Sequence, residues 1–207
     1  MALVKYNNNS ISAVTSAASI PSGALTLIKT LTASSSSTLS FVHGSSDVVL
    51  DSTYPIYVFK FINIHSSAYA NLTFNASTDS GSNYNVAKTT TTTSAYHAED
   101  DVAADYYYID ADLAQGTGVA NISGSIHTDN DSSLSGEMLL FAPSSTTFVK
   151  HFLSDNQRMD YSVRPYTNRW LAAGYMNTTS AINGIQFSMT SGNIASGKIK
   201  LYGIKDS

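Results

Sequence analysis

A chain of 207 residues with 43% hydrophobic side chains can bury one sizeable core. Only 13% of its residues are charged and the net charge is −4 with no basic run, which argues against a nucleic-acid partner, whose phosphates need clustered cations. The lack of cysteine removes disulfides, thiolate metal sites and a cysteine nucleophile.

Residues 1–23 differ in texture from the rest. Leu3, Val4 and Tyr6 form a short β-prone patch, and Ile11 follows an Asn/Ser stretch. A run of small residues then leads to Ile20-Pro21-Ser22-Gly23. Such a segment has little to fold around by itself. It reads either as a frayed terminus or as an arm that orders by adding to a neighbouring subunit, with Leu3, Val4, Tyr6 and Ile11 as its contacts. The opening MALVKYNNNS lacks the apolar core of a secretory leader, and none is expected.

From Ala24 onward the pattern is β. Ala24 to Thr32 predicts a first strand and Thr38 to His43 a second, and the short apolar piece Asp47 to Leu50 reads as the strand partner of Ile56 to Ile64. Ile56 to Ile64 is the most hydrophobic segment. Tyr57, Phe59 and Phe61 alternate with Ile56, Val58, Ile62 and Ile64, so both faces are apolar apart from Lys60. That predicts a central strand buried on both sides, in preference to a strand at a subunit contact. Ala70 to Ala76, a Ser/Asp/Gly turn and Tyr84 to Val86 read as a hairpin, and Thr89 to Thr93 as the continuation of a strand.

Ala95 to Ala114 carries Glu99-Asp100-Asp101 and then Tyr106-Tyr107-Tyr108. It reads as a long connection with a helical turn or as a loop and strand. Three consecutive tyrosines on a strand cannot share one face, so at least one ring points to solvent or a partner. Glu137 to Ala142 and Thr146 to Leu153 predict two strands joined at Pro143-Ser144-Ser145. Asn156 to Trp170 is polar and reads as an Arg-bearing loop, followed by a strand at Leu171 to Met176. Ile185, Phe187 and Met189, then Ile199 and Leu201, predict a closing hairpin across Ser191-Gly192-Asn193. About nine or ten strands without helical periodicity predict an all-β fold: an antiparallel β-sandwich, jelly-roll-like, over residues 24–207, with an extended N-terminal arm over 1–23.

Chemical motifs are sparse. The five histidines are far apart and none forms H-E-x-x-H, so no metal site is expected. Asp129-Asn130-Asp131 begins like a calcium loop but has Leu134 where the glycine belongs and Leu140 where the glutamate belongs. Glu99 to Asp101 reads as a solvated acidic loop, a cation site being its alternative. Neither a nucleophile elbow nor a phosphate loop occurs, so no catalytic residue, cofactor or enzyme activity is expected. No run approaches the ~20 apolar residues of a spanning helix, and no membrane partner is expected. Trp170 with Arg164, Tyr166 and Arg169 nearby is the candidate interface or glycan contact, since aromatic and Arg side chains dominate contact hot spots. The plainer reading makes Trp170 a core anchor at a strand start.

Several stretches carry a resemblance: MALVKYNNNSIS at the start, SNYNVAKTTTTTSAYH from Ser82 to His97, PSSTTFVKHF from Pro143 to Phe152, NTTSAINGIQFSM from Asn177 to Met189, and SGKIKLYGIK at the end. Together they resemble a group of small virion structural proteins of tailed bacteriophages, particularly those of marine and cyanobacterial hosts. The resemblance implies a virion component, assembled in the host cytoplasm as a homo-oligomer, a trimer being the expected count. A capsid decoration or cement protein bound to phage capsid protein is the expected role. A tail or head-fibre module binding host-surface glycans is the alternative. The segment Asp155 to Trp170 is where members are expected to differ.

Overall fold

A computed structural model describes residues 25–161 and 164–205. The arm residues Leu3, Val4, Tyr6 and Ile11 lie outside them. Twelve strands occur among the described residues. The first six are β1 (Leu25–Thr32), β2 (Thr38–Val42), β3 (Ile56–Ser66), β4 (Ala70–Ser77), β5 (Lys88–Ala98) and β6 (Ala103–Tyr107). A single 3-10 turn, Ile109–Ala111, separates them from β7 (Ala120–Ile126), β8 (Leu134–Phe141), β9 (Lys150–Asp160), β10 (Tyr166–Met176), β11 (Gly184–Met189) and β12 (Ile194–Ile204). They form two antiparallel sheets packed as a sandwich: an eight-stranded sheet in the order β1-β12-β3-β8-β9-β10-β5-β6, and a four-stranded sheet in the order β2-β11-β4-β7.

Alternation places the core. Tyr57, Phe59 and Phe61 of β3 face inward, as do Ile199 and Leu201 of β12, against Phe41 of β2 and Phe187 of β11. Phe187 makes edge-to-face contacts with Phe41, Phe59 and Phe61 at 6.2, 5.2 and 5.2 Å between ring centres. That geometry suits the ring quadrupoles as well as filling space. Tyr57 adds a polar tie. Its buried hydroxyl donates to the Asp51 carbonyl and accepts the Asp51 N–H, holding the loop before β3.

The structure corrects several expectations. β11 and β12 do not pair: they lie in opposite sheets, and the Ser191–Asn193 connection crosses the sandwich. Alternation specifies a one-sided strand but not which neighbour it takes. The same holds for Ala70 to Val86, because β4 pairs with β11 and β7 while β5 belongs to the other sheet. Asp47 to Leu50 is an irregular loop that buries Val48 and Leu50, not a strand. β3 is central in its sheet but buried on one face only. On the other, Val58 is covered by its neighbours while Ile62 is exposed, and a bulge at Asn63 (φ +48°) turns Ile64 inward. β7 carries no clear sequence signal among its glycine and serine.

The largest correction is Asn156 to Trp170. Most of it is strand, since β9 runs to Asp160 and β10 starts at Tyr166. The inward positions of β9 are Lys150, Phe152, Ser154, Asn156, Arg158 and Asp160, all buried. All but Phe152 are polar, and Asn156 and Arg158 face β7, the edge strand of the smaller sheet. Asn156 Nδ2 donates to the Ile122 carbonyl at 2.7 Å, and an Arg158 amino group donates to the Ser125 carbonyl. Side chains of one sheet thus satisfy the free backbone edge of the other, which would otherwise be open to pairing.

Candidate functional site

The β5–β6 hairpin turns at Glu99–Asp101 and forms one end of the eight-stranded sheet, three strands beyond β8. Register sets Ser94 opposite Tyr106, Tyr96 opposite Ala104 and Thr93 opposite Tyr107. Tyr106 therefore shares the inward face with Tyr96, while Tyr107 points out and is 59% exposed. Tyr108 follows the strand with its N–H bonded to the Thr92 carbonyl. The parity expected for the tyrosine triplet holds.

Five aromatic rings line up along this overhang. Tyr166 lies 5.2 Å from Tyr96, which stacks on Tyr106 at 6.0 Å and 15° between planes. Tyr106 meets Tyr108 at 5.8 Å, and Tyr108 lies on Trp170 at 5.0 Å. Tyr96, Tyr106, Tyr108 and Tyr166 wall a cleft of about 320 Å³, whose other lining groups are Arg158, Arg164 and Asn168.

The polar groups at its base are fixed. Asp160, fully buried, accepts from Arg158, from Tyr166 at 2.7 Å and from Tyr69 at 3.1 Å. Burial alone would raise its carboxyl pKa, but the bonds from Arg158 and the two tyrosines outweigh it and hold Asp160 below its ordinary value. Tyr166 is pushed above the usual phenol value by burial and then by its bond to Asp160. The Arg158 guanidinium sits over the Tyr166 ring, 5.8 Å from its centre. Asn168 donates to Ser94 Oγ at 2.6 Å and to the Ala95 carbonyl. Arg164 pairs with Asp100 at 2.5 Å, where the acidic turn meets the cleft. At the rim, the hydroxyl bond from Tyr106 to Tyr96 raises the Tyr106 phenol pKa.

Of the four residues singled out in the sequence, Arg164 and Tyr166 come together in this cleft. Trp170 is buried behind Tyr108 and offers no exposed stacking face, in the core as the plainer reading had it but within β10, not at a strand start. Arg169 points to the opposite face of the sheet and pairs with Asp155. Tyr96, Arg158 and Asn168 were not singled out in the sequence. They reach the site through strand register, which joins residues up to 74 positions apart, as in the Asn168–Ser94 bond. Among the described residues no group of three or more His, Asp or Glu could hold a metal ion.

A second surface lies on the outer face of the same sheet. Cross-strand register sets Leu27, Tyr202, Val58, Leu139, Leu153 and Ala173 in one row over six strands. Leu27 and Leu153 are 51% and 50% exposed, and Leu25 and Leu171 extend the apolar band. Leu139, Leu153 and Leu171 line a shallow groove of about 390 Å³. Beside the band run the ion pairs Lys60–Glu137 and Arg169–Asp155. No protein-family model matches this chain, and no curated protein or solved structure matches it either.

Proposed function

We propose that this chain is a structural protein of a bacteriophage virion, a decoration or cement protein that binds the outer capsid surface as a homotrimer. The observation that carries the reading is the apolar band across the outer face of the eight-stranded sheet. One chain leaves that band open, and large exposed apolar patches on β-domains mark assembly surfaces. The occupant proposed for it is a second copy of the chain. Lys198 and Lys200 stand at the β12 end of this face and Asp105 at the β6 end, so a neighbour with its sheet reversed brings opposite charges together. The count of three and the placement on the virion follow from the resemblance in the sequence.

The strand pairing supports a jelly-roll-like fold. β1 pairs with β12, β2 with β11, β3 with β8 and β4 with β7. This is one long antiparallel ribbon rolled over itself, the plan of viral capsid and lectin jelly rolls. β5–β6 and β9–β10 are two inserted pairs that widen one sheet from four strands to eight. The arm 1–23 is proposed to anchor the protein on capsid protein through Leu3, Val4, Tyr6 and Ile11, an assignment that rests on their sequence alone.

Light scattering on the purified full chain tests the assembly: a trimer is expected, with Leu153→Asp and Leu27→Asp shifting it to monomer. A wild-type monomer at tens of micromolar, or variants that remain trimeric, would remove the band from the interface. Electron cryomicroscopy of intact particles then reads the placement, with density over the shell expected and density confined to the tail overturning the decoration role.

A further inference from the structure

We infer that the tyrosine cleft is a binding site for an uncharged saccharide. The rings that wall it are not core. Tyr106 and Tyr108 are 46% and 37% exposed on an edge of the sheet, yet they are held in a continuous ladder with Tyr96, Tyr166 and Trp170. Flat aromatic faces presented to solvent beside fixed polar groups suit pyranose rings. The C–H faces of such a sugar stack on aromatics while its hydroxyls take hydrogen bonds at the edge.

A second observation is independent of the rings. Asn168 Oδ1, Arg158 Nε and Trp170 Nε1 are buried without a hydrogen-bond partner. Asn168 and Arg158 line the cleft, and Trp170 lies directly behind Tyr108. Folded chains rarely leave such atoms unpaired, so three of them behind one cleft mark a place where pairing is not optimised for the chain itself. The two that belong to residues lining the cleft, Asn168 Oδ1 and Arg158 Nε, are an acceptor and a donor, the pairing that adjacent hydroxyls can match.

Charge narrows the class. Arg158 and Arg164 disfavour a quaternary ammonium, which aromatic cages otherwise suit. Both arginines already pair with carboxylates, Asp160 and Asp100, so no free cation is left to hold a phosphate or a sugar acid. A neutral sugar fits both limits, and about 320 Å³ lies at the lower end of ligand-site volumes, enough for a short glycan terminus. The inference does not depend on where the protein sits in a virion.

The test is a printed array of neutral hexose, deoxyhexose and N-acetylhexosamine termini probed with the full chain. Saturation-transfer NMR on the best neutral glycan follows, with glucuronate and choline as charged probes. Binding of a neutral glycan is expected, with Tyr saturation. Tyr106→Phe should retain affinity within about threefold, and Tyr106→Ala should lose at least tenfold, with its melting temperature checking the fold. Tyr108→Ala is the second variant should the first not fold. Failure of every neutral glycan, preference for choline or glucuronate, or unchanged binding in a folded Ala variant overturns the inference. None of these outcomes bears on the trimer, which light scattering reads separately.

Discussion

At the β12–β3 end of the eight-stranded sheet the inward positions are Ile199, Leu201, Phe59 and Phe61. Along β9 and β10 the equivalent positions are Ser154, Asn156, Arg158 and Asn168. Both sets are buried, and both lie on regular antiparallel strands. The difference is what they face. The first set meets the middle of the smaller sheet, whose backbone groups are paired, so only apolar bulk is needed. The second meets the free edge of β7 and the overhang beyond it, where carbonyls need donors. Apolar packing is tolerant of exchange, whereas the polar end holds one arrangement through directional bonds. The polar end is also where the unpaired buried atoms gather, beside the only ladder of exposed rings among the described residues.

The apolar end should give the largest single loss. Phe187→Ala removes the ring at the centre of three edge-to-face contacts and leaves a cavity between sheets, costing about 3–5 kcal/mol. Urea denaturation reads it, and a loss below about 1 kcal/mol would mean the sheets can close on the gap. At the polar end, Asp160→Asn keeps the shape but strips the charge that balances buried Arg158, at a cost of about 3 kcal/mol. Its signature differs from that of Phe187→Ala: the Tyr166 phenol should titrate lower, because its carboxylate neighbour is gone.

The same contrast predicts a pH dependence. Lys88 is fully buried, donating to Asn75 Oδ1 at 2.6 Å and to the Val86 carbonyl at 2.8 Å, and desolvation lowers its pKa from 10.5 to about 8. Between those values the unfolded chain holds a proton that the folded one has released, so stability rises with pH. Tyr57 acts oppositely, since burial raises its pKa from 10 to about 12 and stability falls across that interval. Burial lowers the Lys150 pKa as well and adds a rise of the same sign, so both lysines contribute between pH 8 and 10, Lys88 on the order of 2 kcal/mol. Lys88→Met should remove most of it, and a wild-type curve already flat there would contradict the lowered Lys88 pKa.

How much of this was legible in the sequence follows the same division. The apolar strands announce themselves, Phe187 by alternating with polar residues and Phe59 and Phe61 by lying in the most hydrophobic run of the chain. β9 does so only in its first half, which falls in the strand read at Thr146 to Leu153: from Asn156 onward it has polar side chains on both faces and reads as loop, although Asn156, Arg158 and Asp160 are buried. Neighbour choice was hidden as well. The alternation of Ile185 to Met189 and of Ile199 to Leu201 is real, but a crossing between sheets and a hairpin share it. For the cleft, parity foretold that Tyr106 to Tyr108 could not share a face, and Arg164 and Tyr166 were in view. Tyr96, Arg158 and Asn168 were not, because only the β5–β10 and β9–β10 registers bring them there.

The smallest expected effect lies in the ion pairs of β9 and β10, which carry an Arg–Asp pair on each side of the sheet. Arg158–Asp160 is buried and tied into the tyrosine network. Arg169–Asp155 lies on the outer face with both side chains well exposed, joined by bonds of 2.9 and 2.5 Å. Water screens the outer pair and competes for its donors, so Arg169→Ala in a monomeric background such as Leu153→Asp should cost no more than about 1 kcal/mol and shrink further in salt. In the assembled wild type the same substitution tests where the interface ends, because the pair borders the apolar band beside Leu171. If packing of a second copy covers the pair, its loss in the trimer must exceed its loss in the monomer, leaving Asp155 buried without a partner. Equal and small losses in both would stop the interface at Leu171 and leave Arg169 in solvent.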